Sequence, residues 1–510
     1  MPAVPEIIAA MRSAAPPGLS APDPAALAEL RRLTAELAVA MPASIRESER
    51  YLAIGRRRII GVDAEIGGWL EGLAVLVTGG TGCIGSTLIG ELAALGAGRV
   101  VSVSRGVSEG WPRHDGVEYA RADVRDPAAI EAVFGYVKPD VVFHLAGQRD
   151  PGLAETEVHR TVTTNVLGTW QVAAAAAEHS VRRLICASTG KALRPFSNDV
   201  YTGSKRTAEW VLARVAGGGL GVAAARFTHV VDNSIVAARL RRWCADGVIR
   251  LHSADALFYA QSAIESAQLL MSAGPRRDSG AVLIHALTDL GWPVSLLELA
   301  VGSVLQAGSR PAIYFSGPDA GYEVRSFPGL YDPQTASEVS PLFNAFEAAR
   351  SSQLAGLGVD TFPLTLAPDD APGVALDDLR LVCAETTESA PIRRALSELS
   401  WSVLHASLGA APTRVLARMA AQAAPHRGEL GPEHARLLDA IEQHAGLSSE
   451  QAGRHGRANR DRLGPAEPRD RLAPAEPRDR LEPAEPEVTC DRRRATAPRT
   501  LAGGRSARPG

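Results

Sequence analysis

The segment VLVTGGTGCIG at residues 75–85 carries the strongest indication of the fold. An apolar run leads into three glycines spaced GxxGxxG, and a predicted helix over 86–95 follows. Glycines allow a tight turn and let the backbone approach a pyrophosphate, and the helix N-terminus adds partial positive charge. Because strand, glycines and helix occur in that order, the segment predicts a cradle for the phosphates of a dinucleotide. The predicted cradle residues are Gly79, Gly82, Cys83, Ile84 and Gly85.

Short apolar runs continue on both sides of this turn and alternate with helical stretches. Buried parallel strands read as continuous apolar runs, and alternation with helices indicates right-handed βαβ units. The pattern predicts an α/β fold, a Rossmann-type doubly wound parallel sheet with a small substrate-binding region. The predicted strands are 74–77, 100–103, 141–144, 184–187 and 222–226.

The rest of the chain divides by composition into flanking segments. Leucines and alanines at helical spacing predict helices before and after the sheet. Three copies of the unit RDRLxPAEP fill residues 460–486, and so polar a composition predicts disorder. The predicted organisation is a helical N-terminal segment over 1–72, a nucleotide-binding domain over 73–330 with its substrate-binding part from about 227, a helical accessory region over 331–446 and a disordered repeat tail over 447–510.

The end of the second predicted strand bears on the choice of dinucleotide. NAD sites usually have Asp or Glu at this position to hold the ribose hydroxyls, whereas this chain has Ser104-Arg105. A hydroxyl followed by a guanidinium suits a 2′-phosphate, so the sequence favours NADP, with NAD as the alternative. Asp123 and Val124 follow a further strand, expected between the listed strands 100–103 and 141–144, and could hold the adenine; Asp123 could instead belong to a turn or cap a helix.

A catalytic constellation follows the fourth of the listed strands. Ser188 and Thr189 end it, and YTGSK at residues 201–205 begins a predicted helix. Tyr201 and Lys205 are four residues apart and so share one helix face. An ammonium beside a phenol stabilises phenolate, which gives an acid/base able to move a hydroxyl proton during hydride transfer. Thr189 or Ser188 would polarise the reacting carbonyl, and Lys205 could also donate to the nicotinamide ribose.

Composition excludes several function classes. The 510 residues carry a net charge of −3, which gives no electrostatic footprint for nucleic acid. Five widely spaced cysteines without a Cys/His cluster predict neither a metal site nor a disulfide framework. The chain shows neither a signal peptide pattern nor an apolar run long enough to span a membrane, so we expect a cytoplasmic protein. Only three of the 54 basic residues are lysine, and two of these, Lys191 and Lys205, lie in the predicted active site.

Residues 73 to about 300 resemble extended short-chain dehydrogenase/reductases. The similarity is greatest to the polysaccharide-biosynthesis (CapD-like) subgroup, which includes inverting UDP-N-acetylglucosamine 4,6-dehydratases. The segments that carry it are TGGTGCIG at 78–85, VSRG at 103–106, ADVRD at 122–126, VKPDVVFHLAG at 137–147, TNVLGT at 164–169, STGKA at 188–192, YTGSK at 201–205, RF at 226–227 and DLGWPVSLLELA at 289–300.

The resemblance implies a nucleotide-activated sugar as substrate and tightly held NADP(H) as cofactor. It implies that Tyr201 takes the C4 hydroxyl proton as hydride leaves C4, and that the protein is a homo-oligomer. It also places Lys191 among the catalytic residues. The remaining residues that it implies are Ala146 and Asn165 at the cofactor and Glu155, His229 and Phe258 at the substrate.

The chain departs from the subgroup where water would be eliminated. The family pattern Ser-Thr-Asp-Lys reads Ser188-Thr189-Gly190-Lys191 here, and glycine cannot transfer a proton. Lys191 could still act as a base or an electrostatic partner. Phe258 stands where an arginine usually meets the diphosphate, and His229 is either a replacement acid/base near pH 7 or a core or substrate-facing residue.

Three functions remain open on sequence alone. The first is an NADP-dependent nucleotide-sugar enzyme, either a dehydratase or an epimerase. The second is a ketone/alcohol oxidoreductase with a non-nucleotide substrate, suggested by Phe258. The third is a non-catalytic NADP-binding scaffold, which has no need of both Tyr201 and Lys205.

Overall fold

The computed structural model describes residues 2–447 except positions 20, 107–111, 218, 234, 277–279, 309, 320, 323–324 and 337. The predicted repeat tail lies outside the described residues, apart from position 447. The strands are β1 (Ala74–Thr78), β2 (Arg99–Ser104), β3 (Val117–Arg121), β4 (Val141–His144), β5 (Arg183–Ala187), β6 (Gly221–Ala225), β7 (His229–Val230), β8 (Val248–Leu251), β9 (Leu257–Phe258), β10 (Ala260–Gln261), β11 (Val282–Leu287), β12 (Val294–Ser295), β13 (Ala312–Phe315), β14 (Ser352–Leu354) and β15 (Val359–Leu364).

Helices precede, separate and follow these strands. A π-helical turn, Thr163–Gly168, joins α8 to α9. The helices are α1 (Val4–Ala14), α2 (Pro24–Ala40), α3 (Ser44–Ala53), α4 (Val62–Leu70), α5 (Cys83–Ala94), α6 (Pro127–Val137), α7 (Pro151–Thr156), α8 (Val158–Val162), α9 (Thr169–Glu178), α10 (Val200–Ala213), α11 (Ile235–Asp246), α12 (Ala263–Ser272), α13 (Leu296–Ala307), α14 (Ala345–Ala348), α15 (Ala371–Glu385), α16 (Ser389–Ala410), α17 (Thr413–Ala423) and α18 (Pro432–His444).

A nine-stranded sheet forms the centre, in the order β14-β15-β11-β6-β5-β4-β1-β2-β3. The strands from β3 to β11 are mutually parallel. The chain passes from β1 to β2 and β3 on one side, then returns to β4 on the other side of β1. Ligands of such sheets bind at the carboxyl ends of the strands beside this reversal. The predicted doubly wound α/β fold is confirmed.

The region over 331–446 differs from the expected set of helices. It supplies β14 and β15, which extend the central sheet: β15 pairs antiparallel with β11, and β14 pairs antiparallel with β15. The sequence lacks a continuous apolar run at β15 because Asp360 and Thr361, although buried, are polar. The strand was therefore not predicted. Asp360 is accommodated because its carboxylate accepts the backbone N–H of Ser340 at 2.7 Å.

The N-terminal helices pack on the region from 227 to 330, the part predicted to bind substrate. Ile7, Met11 and Tyr51 are buried in one apolar cluster with Ile313 and Phe315 of β13. This core is separate from the one beneath the central sheet. Residues 1–72 therefore help to build the region from 227 to 330.

A buried charge network joins the central sheet to the region after 331. Arg226, which follows β6, is fully buried and donates two hydrogen bonds each to Glu209 on α10 and Glu347 on α14, at 2.7–2.9 Å. Arg206 of α10 donates to Glu347 at 3.2 Å. Burial alone would raise the pKa of Glu209, but the Arg226 guanidinium outweighs that effect and lowers it. The Glu209 carboxylate therefore remains charged and paired with Arg226.

Substitution of one member tests how far stability depends on this network. Removing one partner of a buried ion pair leaves an uncompensated charge, so Glu347→Gln should lower the free energy of unfolding by about 3 kcal/mol or more. The control is Glu118→Gln, which breaks the exposed Arg99 pair and should cost far less, because exposed ion pairs contribute little to stability. Urea unfolding measures both variants, and equal costs would contradict this account of the network.

Candidate active site

A cavity of about 860 Å³ opens at the carboxyl ends of β1, β2, β4 and β5. Most of the predicted site residues come from separate segments and meet in its wall. Those that line it are Gly79, Gly82, Cys83, Ile84, Gly85, Ser104, Arg105, Asp123, Val124, Ala146, Thr189, Tyr201, Lys205 and His229.

The glycine turn packs too closely for larger residues. Gly79 has φ +76°, and a Cβ there would stand 2.7 Å from the Ala146 nitrogen. At Gly85 a Cβ would stand 2.3 Å from the Gly79 carbonyl oxygen. Helix α5 begins at Cys83 in the cavity wall. Its N-cap residue is Gly82, and no described side chain caps the first turn. Free first-turn amides together with the helix dipole favour an anion, so this end fits the phosphates of a dinucleotide.

The end of β2 has the composition expected for a 2′-phosphate. Ser104 donates through Oγ to the Gly106 carbonyl at 2.7 Å, and Arg105 is exposed at the cavity rim. Asp123 is held by Arg125, 2.6 Å between Oδ2 and Nη2, and hydrogen bonding to Arg125 lowers its pKa. Asp123 also accepts the Arg125 backbone N–H, so it forms a turn while still lining the cavity. Helix α6 is capped by Asp126.

The predicted catalytic residues lie at the opposite end of the cavity. Tyr201 is nearly buried, and this burial raises its pKa. A hydrogen bond with Thr189 has the opposite effect and lowers the pKa, but by less. Lys205 donates from Nζ to the Ala187 carbonyl at 2.7 Å, and burial lowers its pKa. The expected lowering of the phenol pKa is therefore not seen, because burial is the largest effect on Tyr201. Ser188 donates to Glu209 at 2.5 Å as part of the charge network, which leaves Thr189 as the hydroxyl beside Tyr201.

Asn165 lies behind the cavity wall. It is buried on the π-helical turn, accepts the Gln148 backbone N–H at 2.7 Å and donates to Ser204 Oγ at 3.0 Å. It therefore ties the cavity loop after β4 to helix α10. π-Helical turns within α-helices occur frequently at functional sites.

Lys191 and Gly190 lie beside the catalytic residues, outside the cavity lining. Lys191 donates from Nζ to the Gly321 carbonyl at 2.8 Å and sits 4.5 Å from the centre of the Tyr322 ring. A Cβ at Gly190 would stand 2.7 Å from Leu342 Cδ2. Leu342 therefore occupies the space that a larger side chain at position 190 would need.

Two residues expected at the substrate have other contacts. Glu155 accepts the Val200 backbone N–H at 2.7 Å and pairs with Arg393 of α16, so it links helices and does not line the cavity. Phe258 packs edge-on against His229, 5.1 Å between ring centres, and against Tyr51. The sequence could not show these partners because they lie far away along the chain.

His229 contributes to the wall and belongs to this aromatic cluster. Its Nε2 is buried and has no hydrogen-bond partner among the residues that the structure describes. Burial lowers its pKa to about 4. The imidazole is therefore neutral at pH 7, which favours the core or substrate-facing alternative over a replacement acid/base.

Sequence reasoning missed several polar residues of the wall. Arg149 and Gln148 follow β4, Arg160 lies on α8, and Asn233 follows β7. Arg160 pairs with Glu157 at 3.0 Å. In so arginine-rich a chain, single arginines carry little signal; for Arg149, its position shortly after the buried strand β4 was the available clue.

Neither a group of metal ligands nor a membrane-spanning helix occurs in the described ranges. No group of three or more His, Cys, Asp or Glu residues there could hold a metal ion. Within the same residues, every helix is too short or too polar to cross a membrane.

Comparison with known proteins agrees with the fold. Residues 75–317 match the family described as polysaccharide biosynthesis proteins. This part of the chain is similar to extended short-chain dehydrogenase/reductases of the polysaccharide-biosynthesis subgroup, as the motifs predicted.

Individual relatives share this part of the chain. The capsular polysaccharide biosynthesis protein CapD of Staphylococcus aureus is 26% identical over 265 residues, 49% of this chain and 43% of that protein. The probable polysaccharide biosynthesis protein EpsC of Bacillus subtilis is 24% identical over 277 residues, 52% of this chain and 46% of that protein. The chain thus spans less than half the length of these two relatives. Among solved structures, Pen from Bacillus thuringiensis has a TM-score of 0.48 and 19% identity, covering 58% of this chain and 88% of that one.

The pKa of His229 can be measured directly. We expect its imidazole NMR signal, identified by its loss in His229→Gln, to titrate near pH 4, well below the ordinary 6.5, because burial disfavours the imidazolium. Between those values the unfolded chain binds a proton that the folded chain does not, so His229 makes stability fall as the pH drops from 6.5 to 4. A midpoint near 6.5 would contradict this environment.

Proposed function

We propose that the protein is an NADP-dependent enzyme that modifies a nucleotide sugar by removing hydride from a carbon that bears a hydroxyl. The observation that carries the proposal is the single cavity in which an uncapped glycine-turn helix faces Thr189, Tyr201 and Lys205. A UDP-glucose 4-epimerase of Mycolicibacterium smegmatis, 36% identical over 123 residues covering 23% of this chain and 39% of that protein, supports this class of chemistry.

Each end of the cavity has its own task in this proposal. The amides at Gly82–Gly85 hold the pyrophosphate, Arg105 holds the 2′-phosphate, and Lys205 holds the nicotinamide ribose. Bound NADP supplies the hydride acceptor. Thr189 orients the sugar hydroxyl, and ionised Tyr201 takes its proton as the hydride leaves, then returns a proton when hydride comes back. The raised pKa of Tyr201 means that this ionisation needs positive charge nearby, and Lys205 is the residue suited to supply it.

The surroundings of Gly190 support chemistry without elimination. Position 190 carries no acid that could give a proton to leaving water, and Leu342 Cδ2 lies where a side chain at this position would begin. An epimerase needs only hydride removal and return. We therefore favour epimerisation over dehydration.

Cations in the wall favour a nucleotide sugar over a neutral ketone or alcohol. Arg149 and Arg160 line the cavity, so a diphosphate has partners although Phe258 points into an aromatic cluster. The ketone/alcohol oxidoreductase remains the second candidate. The homo-oligomer and the cytoplasmic location expected from sequence stay predictions.

Turnover of defined sugars tests the proposal. Wild-type protein with NADP and UDP-N-acetylglucosamine or UDP-glucose should give a product of unchanged mass and altered stereochemistry, followed by mass spectrometry and NMR. Tyr201→Phe should slow turnover by about 10²-fold or more, because it removes the acid/base, while NADP still binds. Loss of one water would establish a dehydratase instead. Bound NADP without turnover of either sugar, or full activity in Tyr201→Phe, would contradict the proposal.

The role of Arg105 is tested by cofactor selectivity. Arg105→Ala should weaken NADP binding about tenfold to a hundredfold, the effect of one charged hydrogen bond, and leave NAD binding nearly unchanged. Isothermal titration with each dinucleotide measures the ratio. Arg380→Ala, on an exposed part of α15, is the matched control. Equal losses for NAD and NADP would show that Arg105 does not read the 2′-phosphate.

A further inference from the structure

Helix α16 packs directly against the helix that carries Tyr201 and Lys205. Gly203, inside the YTGSK motif, lies at the crossing: a Cβ there would be 3.3 Å from Ser400 Oγ and 3.7 Å from Leu396 Cδ2. Thr207 Oγ1 is 3.4 Å from the same Ser400 hydroxyl. Helix α16 lies outside residues 75–317, the part that matches the family. A region without any recognisable motif thus contacts the predicted catalytic helix within one turn of Tyr201.

The first turn of α10 has two carboxylate acceptors from different elements. Asp199, the N-cap, accepts the Thr202 backbone N–H at 2.6 Å. Glu155 of α7 accepts the Val200 backbone N–H at 2.7 Å. First-turn amides have no acceptor within their own helix, and the helix dipole favours negative charge there. Glu155 therefore fixes the backbone immediately before Tyr201.

Arg393 of α16 holds Glu155 in place. Its Nη1 donates to Glu155 Oε2, and its Nη2 donates to the backbone carbonyl of the same residue. The Glu155 side chain is 11% exposed and that of Arg393 35%. A charged, two-point contact of this kind restricts both the carboxylate and the end of α7.

The same short helix also contacts the segment that holds Lys191. A Cβ at Gly321 would be 3.0 Å from the Pro151 carbonyl oxygen and 3.4 Å from Glu155 Cγ. The Gly321 carbonyl accepts the Lys191 ammonium at 2.8 Å. A shift of α7 would therefore disturb the surroundings of both Tyr201 and Lys191.

We propose that Arg393 and Glu155 are positioning residues that set the place of Tyr201 in the active site. The contact passes from the Arg393 guanidinium to the Glu155 carboxylate and from there to the Val200 amide, one residue before the reacting phenol. Helix α16 would thus help to position Tyr201 although it lies outside residues 75–317, the part of the chain that matches the family. The proposal rests on the proposed function, in which Tyr201 moves the hydroxyl proton.

Two readouts on the full-length protein test the proposal. Arg393→Met removes the donors and keeps an apolar stem, while Arg394→Met alters the exposed neighbour on the same helix. In Arg393→Met, kcat for UDP-glucose and UDP-N-acetylglucosamine should fall roughly tenfold to a hundredfold with little change in KM, as expected for a misplaced catalytic group. Amide hydrogen exchange should quicken in α7 and the first turn of α10 and stay unchanged in β1 and β4. Arg394→Met should match the wild type in both.

Glu155 provides a second pair of variants, which decides the question should Arg393→Met fail to fold. Glu155→Gln keeps an acceptor for the Val200 amide and should lose less kcat than Glu155→Met. Wild-type kcat and exchange in Arg393→Met or in Glu155→Met would overturn the proposal, as would faster exchange throughout the sheet. If the wild type turns over neither sugar but exchange quickens only in α7 and α10, the proposed function fails and the positioning of α10 stands.

Discussion

The guanidinium of Arg226 has no exposure to solvent and forms ion pairs with both Glu209 and Glu347. These pairs connect several parts of the structure. An isolated charge at this depth would be prohibitively costly, so both carboxylates and the Leu342 carbonyl that accepts from Arg226 must stay in place. Glu209 also accepts a hydrogen bond from the hydroxyl of Ser188, the residue before Thr189. The end of β5, the middle of α10 and the region after 331 are thereby fixed to one another beneath the catalytic end of the cavity.

Residues on both sides of the part that matches the family, 75–317, pack against it. Residues before 73 supply Tyr51, which packs on His229 and Phe258 beside the cavity. The region after 331 supplies Glu347 to the charge network and Leu342 against Gly190. Leu342 Cδ2 lies where a side chain at position 190 would begin, so a residue from another part of the chain fills the space beside this glycine.

Much of the sheet and of the glycine turn before α5 could be predicted from the sequence because both depend on local pattern. Apolar runs, glycine spacing and the YxxxK interval are short-range signals, and the predicted residues meet at one edge of the sheet. The contacts of Glu155, Phe258 and Gly190 could not be predicted, since each depends on a partner far away along the chain. Strand β15 was missed for a related reason: its buried Asp360 is satisfied by Ser340, a tertiary contact that overrides a polar pattern.

We infer that one cavity joins a dinucleotide cradle to Tyr201 and Lys205. A crystal structure of the full-length protein grown with NADP would show where the cofactor lies. We expect pyrophosphate on the amides of Gly82–Gly85, a 2′-phosphate beside Arg105 and the nicotinamide ribose within hydrogen-bonding distance of Lys205. A dinucleotide bound elsewhere, or one whose nicotinamide end lies away from Tyr201 and Lys205, would contradict it.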